Sequence, residues 1–540
     1  MAKIPIDTMD GPQYALRGRI VTMNSKRKIF HDGIVYIDKG RIVDVKNRKD
    51  KVPNGFNDIP VINTRGTIYP GLIELHNHLS YDILKLWQVP KKYTNRNQWG
   101  GTSEYRKIIS GPMNVLGRTP GYIEAIVRYV ECKCLMGGVC TSQGIALFSN
   151  NGIQKYYRGI VRNVEDTDDA DLPEARAKIS DVEAKSVEKF YERLKKQDCM
   201  LLHLSEGTDE SARRHFTDLQ LSNGEWSITN ALAGIHCVAL KKEDFKRMKA
   251  GDASMVWSPL SNLLLYGQTA DIVTAINKKL LIGIGSDWSP SGSKNLFGEL
   301  KVARLVANEL GIYKRKSDIL ALATINAAKI LKWDKELGSI EKGKRADLMV
   351  IKGTTNIAYK HLLKYDETAI SLVVINGIPR YGHEKLMNEW STVKEKITVK
   401  GVKYELYLKQ STANPIVGTL TLEDAITKLN FALNNLPEIA KKLEMFPPKM
   451  HLTLGSETPP QWFLVLDHND EHEGEKLRLT GSDGLKSNQP LMASQPLSEI
   501  VEEMELDKIT VADDSDFLLS IQDQQNLPDY IKDGLVKMYN

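Results

Sequence analysis

TIYPGLIELHNHLS, residues 67–80, decides how the rest of the chain is read. An apolar run of strand texture ends there in the triplet His76-Asn77-His78. Side chains two apart on a strand share a face, so both imidazoles can reach one metal ion from one edge. An H-x-H pair alone also fits a solvated loop, so the reading turns on the downstream residues. CMLLHLSEG (199–207) sets His203 behind a second apolar run, with Glu206 three residues on. ALAGIH (231–236) ends in His236, and LLIGIGSD (280–287) ends in Asp287. Between these runs lie amphipathic stretches such as SARRHFTDLQLS (211–222) and KEDFKRMKAG (242–251). Strand and helix in alternation from 67 to 334 predict an α/β fold, a (β/α)8 TIM-like barrel. Barrel strands present their C-terminal ends on one face, so these histidines and the aspartate converge there although far apart in sequence.

The flanks have a different texture. ALRGRIVTM (15–23), GIVYIDKG (33–40) and RIVDVKN (41–47) read as strands, as does SLVVINGIPRYG (371–382). The segments 1–66 and 335–385 are therefore expected to pair into one small β-sandwich. Beyond them, KITVKGVKYELYLKQS (396–411) reads as strand, and TLEDAITKLNFALNNLPEIAKKLEMF (421–446) and DYIKDGLVKM (529–538) as helix. This predicts an additional C-terminal α+β domain over 390–540.

Composition narrows the class. With 41% hydrophobic residues in 540, the chain has ample material for packed cores. Its 73 basic against 68 acidic residues set up no field for nucleic acid. No apolar run reaches the roughly 20 residues that span a bilayer, and the first residues carry no secretory h-region. Five cysteines do not make a disulfide framework and suit a reducing compartment. The expected setting is cytoplasmic.

PGLIELHNHLS (70–80), HLSEG (203–207), GIHCVAL (234–240), SPLSN (258–262), GSDWSPSG (285–292), ATINAA (323–328) and GSIEKGKRADLMVI (338–351) together resemble the metal-dependent amidohydrolase superfamily. The branch is that of cytosine and guanine deaminases and the triazine hydrolases (chlorohydrolases), and the resemblance covers residues 13–382. It implies His76, His78, His203 and Asp287 as ligands of one divalent metal ion, Zn2+ or Fe2+. It also implies Glu206, His236 and Asp287 as the catalytic groups around a metal-activated water. No lysine is expected at the end of the fourth barrel strand to bridge a second metal. The implied reaction is hydrolytic deamination of an amino-substituted nitrogen heterocycle or an amidine-like small molecule, and homodimers are common in the family. Hydrolysis of another C–X or cyclic amide bond is the alternative, and a non-catalytic scaffold a second one. The full ligand set speaks against the scaffold.

Further expectations are local. Ser261 and Asn262 support the site. Trp87, Asn97, Gln98, Trp99 and Arg106 lie in the loop where relatives choose their substrate, and Trp288 walls the pocket or packs. Cys237 reads as a packing residue, and Lys294 with Asn295 as a solvated helix start. His468, Asp470 and His472 fall in a hydrophilic stretch that reads as surface loop.

Overall fold

A computed structural model describes all residues except 1–2, 7–10, 314, 316, 355–356, 393, 411–415, 449–459, 467–494 and 540. Eight short parallel strands build the barrel: Leu72–Ile73, Val139–Ser142, Arg162–Asn163, Ala175–Lys178, Cys199–Leu204, Leu232–His236, Ser254–Trp257 and Leu281–Ile284. The first three pair in order, and the last five form one continuous parallel sheet. Ala175 N donates to Val164 O at 2.8 Å, which joins strands three and four. The ring closes where Asp287 N donates to His76 O at 3.0 Å and His78 N to Asp287 O at 2.6 Å. The interior is filled by alternate residues, among them Leu75, Val164, Ala175, Leu201, Ile235 and Val256, with Trp333 buried against them. The expected barrel is present.

Its outer ring is irregular. Helix Ile123–Met136 precedes strand two, and helices follow strands four to eight. After strand two the chain instead makes the hairpin Ala146–Ser149 with Gln154–Tyr156. Strand four ends in Lys178, contrary to the expectation that no lysine sits there. Lys178 is in register with Leu202, and Ala177 with Leu201. Ala177 therefore shares the inward face with Leu201, and alternation turns Lys178 outward, where it cannot bridge metals.

The flanking segments meet in one nine-stranded sheet. Its order is Glu395–Val399, Val402–Leu406, Ile378–His383, Ile370–Ile375, Leu348–Lys352, Val61–Pro70, Tyr14–Val21, Ile29–Asp38 and Arg41–Asn47. Strand Val61–Pro70 runs through Gly71 into the first barrel strand, so this sheet fixes where the H-N-H triplet begins.

The separate domain expected over 390–540 is not seen among the described residues. Two of its strands extend the nine-stranded sheet, and Trp462–Leu464 pairs with Ala146–Ser149 of the barrel hairpin. Helix Leu422–Asn434 packs on Ile123–Met136, and Asp529–Tyr539 on Leu296–Glu309. The physical reason lies in helix Ile123–Met136, nearly all of which is buried, charges included. Arg128 Nε donates to Leu420 O at 2.9 Å, the Tyr129 hydroxyl to Asp507 O, and Lys133 Nζ to Asp507 Oδ2 at 2.7 Å. Buried polar groups without partners cost several kcal/mol, and the C-terminal segment supplies these partners. Among the described residues no helix is long and apolar enough to cross a membrane.

Candidate metal centre and substrate cleft

The C-terminal ends of strands one, five, six and eight carry His76, His78, His203, His236 and Asp287 to one place. Two overlapping triads have ligand atoms within 4.8 Å of one another: His76, His78 and Asp287, and His76, His203 and His236. Gly285 lets strand eight come this close, because a Cβ there would stand 2.5 Å from His76 Cβ. The backbone is left-handed at Ser205 (φ 52°), His236 (φ 65°), Cys237 (φ 53°) and Asp287 (φ 70°). Each such non-glycine residue costs on the order of 1–3 kcal/mol, and strain of this kind collects at working sites.

The hydrogen bonds fix which nitrogen is free. Gln143 Oε1 accepts from Asn77 N at 3.0 Å, which sets its amide, and also lies 3.0 Å from His76 Nδ1. The proton of His76 therefore sits on Nδ1. Its Nε2 lone pair faces Asp287 Oδ1 at 2.9 Å, and neither atom brings a proton to the other. His76 Nε2 and His203 Nδ1 are buried with no hydrogen-bond partner. Burial holds the His76 imidazole below its ordinary pKa and that of His203 well below, which keeps both neutral. Imidazole nitrogens gathered around a carboxylate, with His76 Nε2 and His78 Nε2 at 2.9 and 3.3 Å from Asp287 Oδ1 and His203 grouped with His76, are the donor set of a divalent cation such as zinc. The residues fit such an ion.

His236 is oriented differently. Asn262 Nδ2 lies 3.0 Å from His236 Nδ1, so that nitrogen accepts and the proton is on Nε2. The amide is set in turn by Thr269, whose hydroxyl donates to Asn262 Oδ1 at 3.5 Å and accepts from Trp257 Nε1 at 2.6 Å. His236 Nε2 lies 3.8 Å from Glu206 Oε2 and offers a donor into the site. Ser261 Oγ donates to Asp287 Oδ2 at 2.6 Å. Burial raises the Glu206 carboxyl, while Tyr266 OH donates to its Oε1 at 2.7 Å and accepts from Trp99 Nε1 at 3.1 Å. Neither Gln143 nor Tyr266 was expected. Gln143 follows a strand end, VCTS, where a polar residue is a usable signal; Tyr266 closes the apolar run PLSNLLLY and gives none.

A cleft of about 580 Å³ opens beside His78 and His203, lined also by Asn77, Gln143, Glu165, Arg176, Ile235 and Val465. Burial raises Glu165 to about 7, and its Oε2 accepts from Gly144 N at 2.8 Å. None of the weaker candidates lines this cleft, although Trp99 and Asn262 are tied to Tyr266 and His236 respectively. Trp288 packs against His78 with ring centroids 5.6 Å apart, and Trp87 is buried with Nε1 on Glu104 Oε1 at 3.0 Å. Asn97 and Gln98 form a short turn capped by Asn95, with Gln98 hydrogen-bonded to Thr94. Burial drives the Cys237 thiol far up, which suits packing and not nucleophilic attack. Lys294 is not solvated but buried, paired with Asp507 and Asp514, while Asn295 caps helix Leu296–Glu309. His468, Asp470 and His472 lie outside the described residues.

Residues 67–402 match the model of the Amidohydrolase family. A 5-methylthioadenosine/S-adenosylhomocysteine deaminase of Thermoanaerobacter pseudethanolicus is 25% identical, over 66% of this chain and 91% of its own. Another of that name, from Bacillus cereus, is 23% identical over the same shares. Among solved structures, atrazine chlorohydrolase from Arthrobacter aurescens TC1 complexed with zinc superposes with a TM-score of 0.55 at 17% identity, covering 71% of this chain and 97% of its own. E. coli guanine deaminase superposes with a TM-score of 0.51 at 17% identity, covering 68% of this chain and 99% of its own.

Proposed function

The chain belongs to the amidohydrolase family, and from that premise we propose that it is a hydrolase with one divalent cation, zinc, that deaminates an amino-substituted nitrogen heterocycle. Relatives named for 5-methylthioadenosine and S-adenosylhomocysteine put an aminopurine nucleoside first among substrates. What supports the reading most directly is the meeting of His76, His78, His203 and Asp287, in which His76 Nε2 and His203 Nδ1 are buried without a hydrogen-bond partner. His76, His78, His203 and Asp287 hold the ion, and Lys178, facing outward, leaves no bridge for a second. When bound, a divalent cation supplies hydroxide at neutral pH by drawing the pKa of water toward about 7.

The chain's own groups do the rest. Glu206 takes one proton of the attacking water and gives it to a ring nitrogen, then takes the second proton from the same oxygen as the C–N bond breaks and the carbonyl forms, and passes it to the amino group, which leaves as ammonia. That role needs a carboxyl whose pKa lies near the working pH, which burial favours and the Tyr266 hydroxyl trims. His236 donates its Nε2 proton to the oxygen that develops charge, a donor already oriented by Asn262. Ser261 keeps Asp287 in the rotamer that faces His76 and His78. The substrate is a small molecule of a size for the cleft beside His78, and the setting is cytoplasmic.

The test is ammonia release by zinc-loaded protein from aminopurine nucleosides, aminopyrimidines, aminotriazines and amidines. Release by the wild type and its loss in Glu206→Gln is the expected result. No release across the panel by protein holding one zinc per chain would sink the deaminase reading in favour of another C–X or amide bond.

A further inference from the structure

Asp507 lies near the opposite end of the chain from the H-N-H triplet, yet it is buried against the loops that leave the first and last barrel strands. Its Oδ2 accepts from Lys133 Nζ at 2.7 Å and its Oδ1 from Lys294 Nζ at 2.5 Å. Both lysines are 2% exposed. Asp507 N donates to Ile83 O at 2.9 Å. Lys133 spends its other two protons on Asp82 O and Ser289 Oγ, each at 2.7 Å. The Asp82 carboxylate accepts from Ser289 N at 2.7 Å and from Asn77 Nδ2 at 3.1 Å. Asn77 stands between His76 and His78, and Ser289 is two residues past Asp287. The same segment reaches further along this face. Gln524 Nε2 donates to Trp87 O at 2.8 Å and its Oε1 accepts from Val89 N at 3.3 Å, while Asn526 Nδ2 donates to Leu264 O at 2.8 Å. Leu264 lies two residues before Tyr266.

We infer that Asp507 is a positioning residue for the metal centre and that residues 501–526 form a strap that sets the loops after His78 and Asp287. The inference rests on the reading of His76, His78, His203 and Asp287 as ligands. Asp507 acts through Lys133: neutralised by Asp507, that ammonium can stay buried and tie Ser289 to the backbone at Asp82. Without the carboxylate the ammonium is drawn toward other oxygens or water, and the two ligand-bearing loops lose their common anchor. Asp514 serves as a control within the cluster, because it pairs with Lys294 in the loop past Asp287 at 2.9 Å but, among the described residues, makes no bond to Lys133, Asp82 or Ser289.

The test is zinc titration into the chelator-stripped full chain, read by competition with a chromophoric chelator, alongside the melting temperature. Asp507→Asn is expected to bind zinc roughly 10–100-fold more weakly, the usual loss for groups that orient ligands. Ser289→Ala, which keeps every charge, should weaken zinc binding several-fold with a melting temperature near wild type. Asp514→Asn should lose thermal stability and keep wild-type zinc affinity. Wild-type affinity in Asp507→Asn, or equal weakening in Asp507→Asn and Asp514→Asn, overturns the positioning role. If Asp507→Asn does not fold, unchanged affinity in Ser289→Ala overturns it. A wild type that takes up no zinc instead refutes the metal reading itself.

Discussion

Replacing Tyr266 by Phe removes one hydroxyl and leaves the ring. That hydroxyl donates to Glu206 Oε1 at 2.7 Å, in a site where burial already raises the carboxyl. A hydrogen bond to a charged acceptor is worth about 1.5–3 kcal/mol. At 1.36 kcal/mol per unit, its loss raises the Glu206 pKa by about 1–2 units. The sign follows from the donor, which favours the ionised form, so removing it favours the protonated one. The acidic limb of the kcat/KM profile should therefore move up by about 1–2 pH units. Activity should return toward the wild-type plateau at pH values above the new limb. Trp99 Nε1 also loses its acceptor, but Trp99 is only half-buried and water can take that place. The assay is initial-rate ammonia release from pH 5 to 9 on the substrate that the panel identifies. A loss that is the same at every pH would mean that Tyr266 only packs, and would refute the argument.

Two further outcomes rest on single contacts. Ser261→Ala deletes the 2.6 Å bond to Asp287 Oδ2, and zinc affinity should fall roughly 10–100-fold in a chelator competition; unchanged affinity would show that Asp287 needs no such support. Glu299 is buried and raised to about 8, with Oε1 accepting from Leu260 N at 3.0 Å and Oε2 bonded to the Ser293 hydroxyl. Its folded pKa lies above the ordinary value of about 4.5, so its stability is full below that value and is lost as pH rises toward 8, at about 1.4 kcal/mol per unit. Glu299→Gln mimics the protonated form, so the melting temperature of the variant minus that of the wild type should climb from pH 5 to 8 and level off above. A difference that is flat in pH would rule out a protonated Glu299.

The strand ends were legible because chemistry and periodicity coincide there. His76, His203, His236 and Asp287 each follow an apolar run, and a barrel has one face on which such ends can meet. Ser261 and Asn262 were legible through the SPLSN motif, although which atoms they hold, Asp287 Oδ2 and His236 Nδ1, needed geometry. Lys178 was misjudged because the boundaries of a short strand decide which residue is last, and its outward direction depends on register. Tyr266 was hidden because an apolar run conceals the one polar atom that matters. The fate of residues 390–540 was the largest gap. Lys133 in ECKCLM and Asp507 in MELDKI look like ordinary surface charges until they are seen facing each other.

That pairing has a consequence for how the protein is made. Lys133 and its counter-ion are separated by 374 positions, which a ribosome adding about 5–20 residues per second covers in roughly 20–75 s. For that interval helix Ile123–Met136 has emerged with Tyr129 and Lys133 lacking the Asp507 oxygens they bond in the finished molecule. The barrel can collapse earlier, but on the inference drawn above its proposed metal-binding end is locked only after Asp507 has been synthesised. A chain stopped before residue 501 would thus carry every proposed ligand of the centre and still expose the faces that residues 501–539 cover, which makes it a substrate for chaperones and proteases rather than a smaller enzyme.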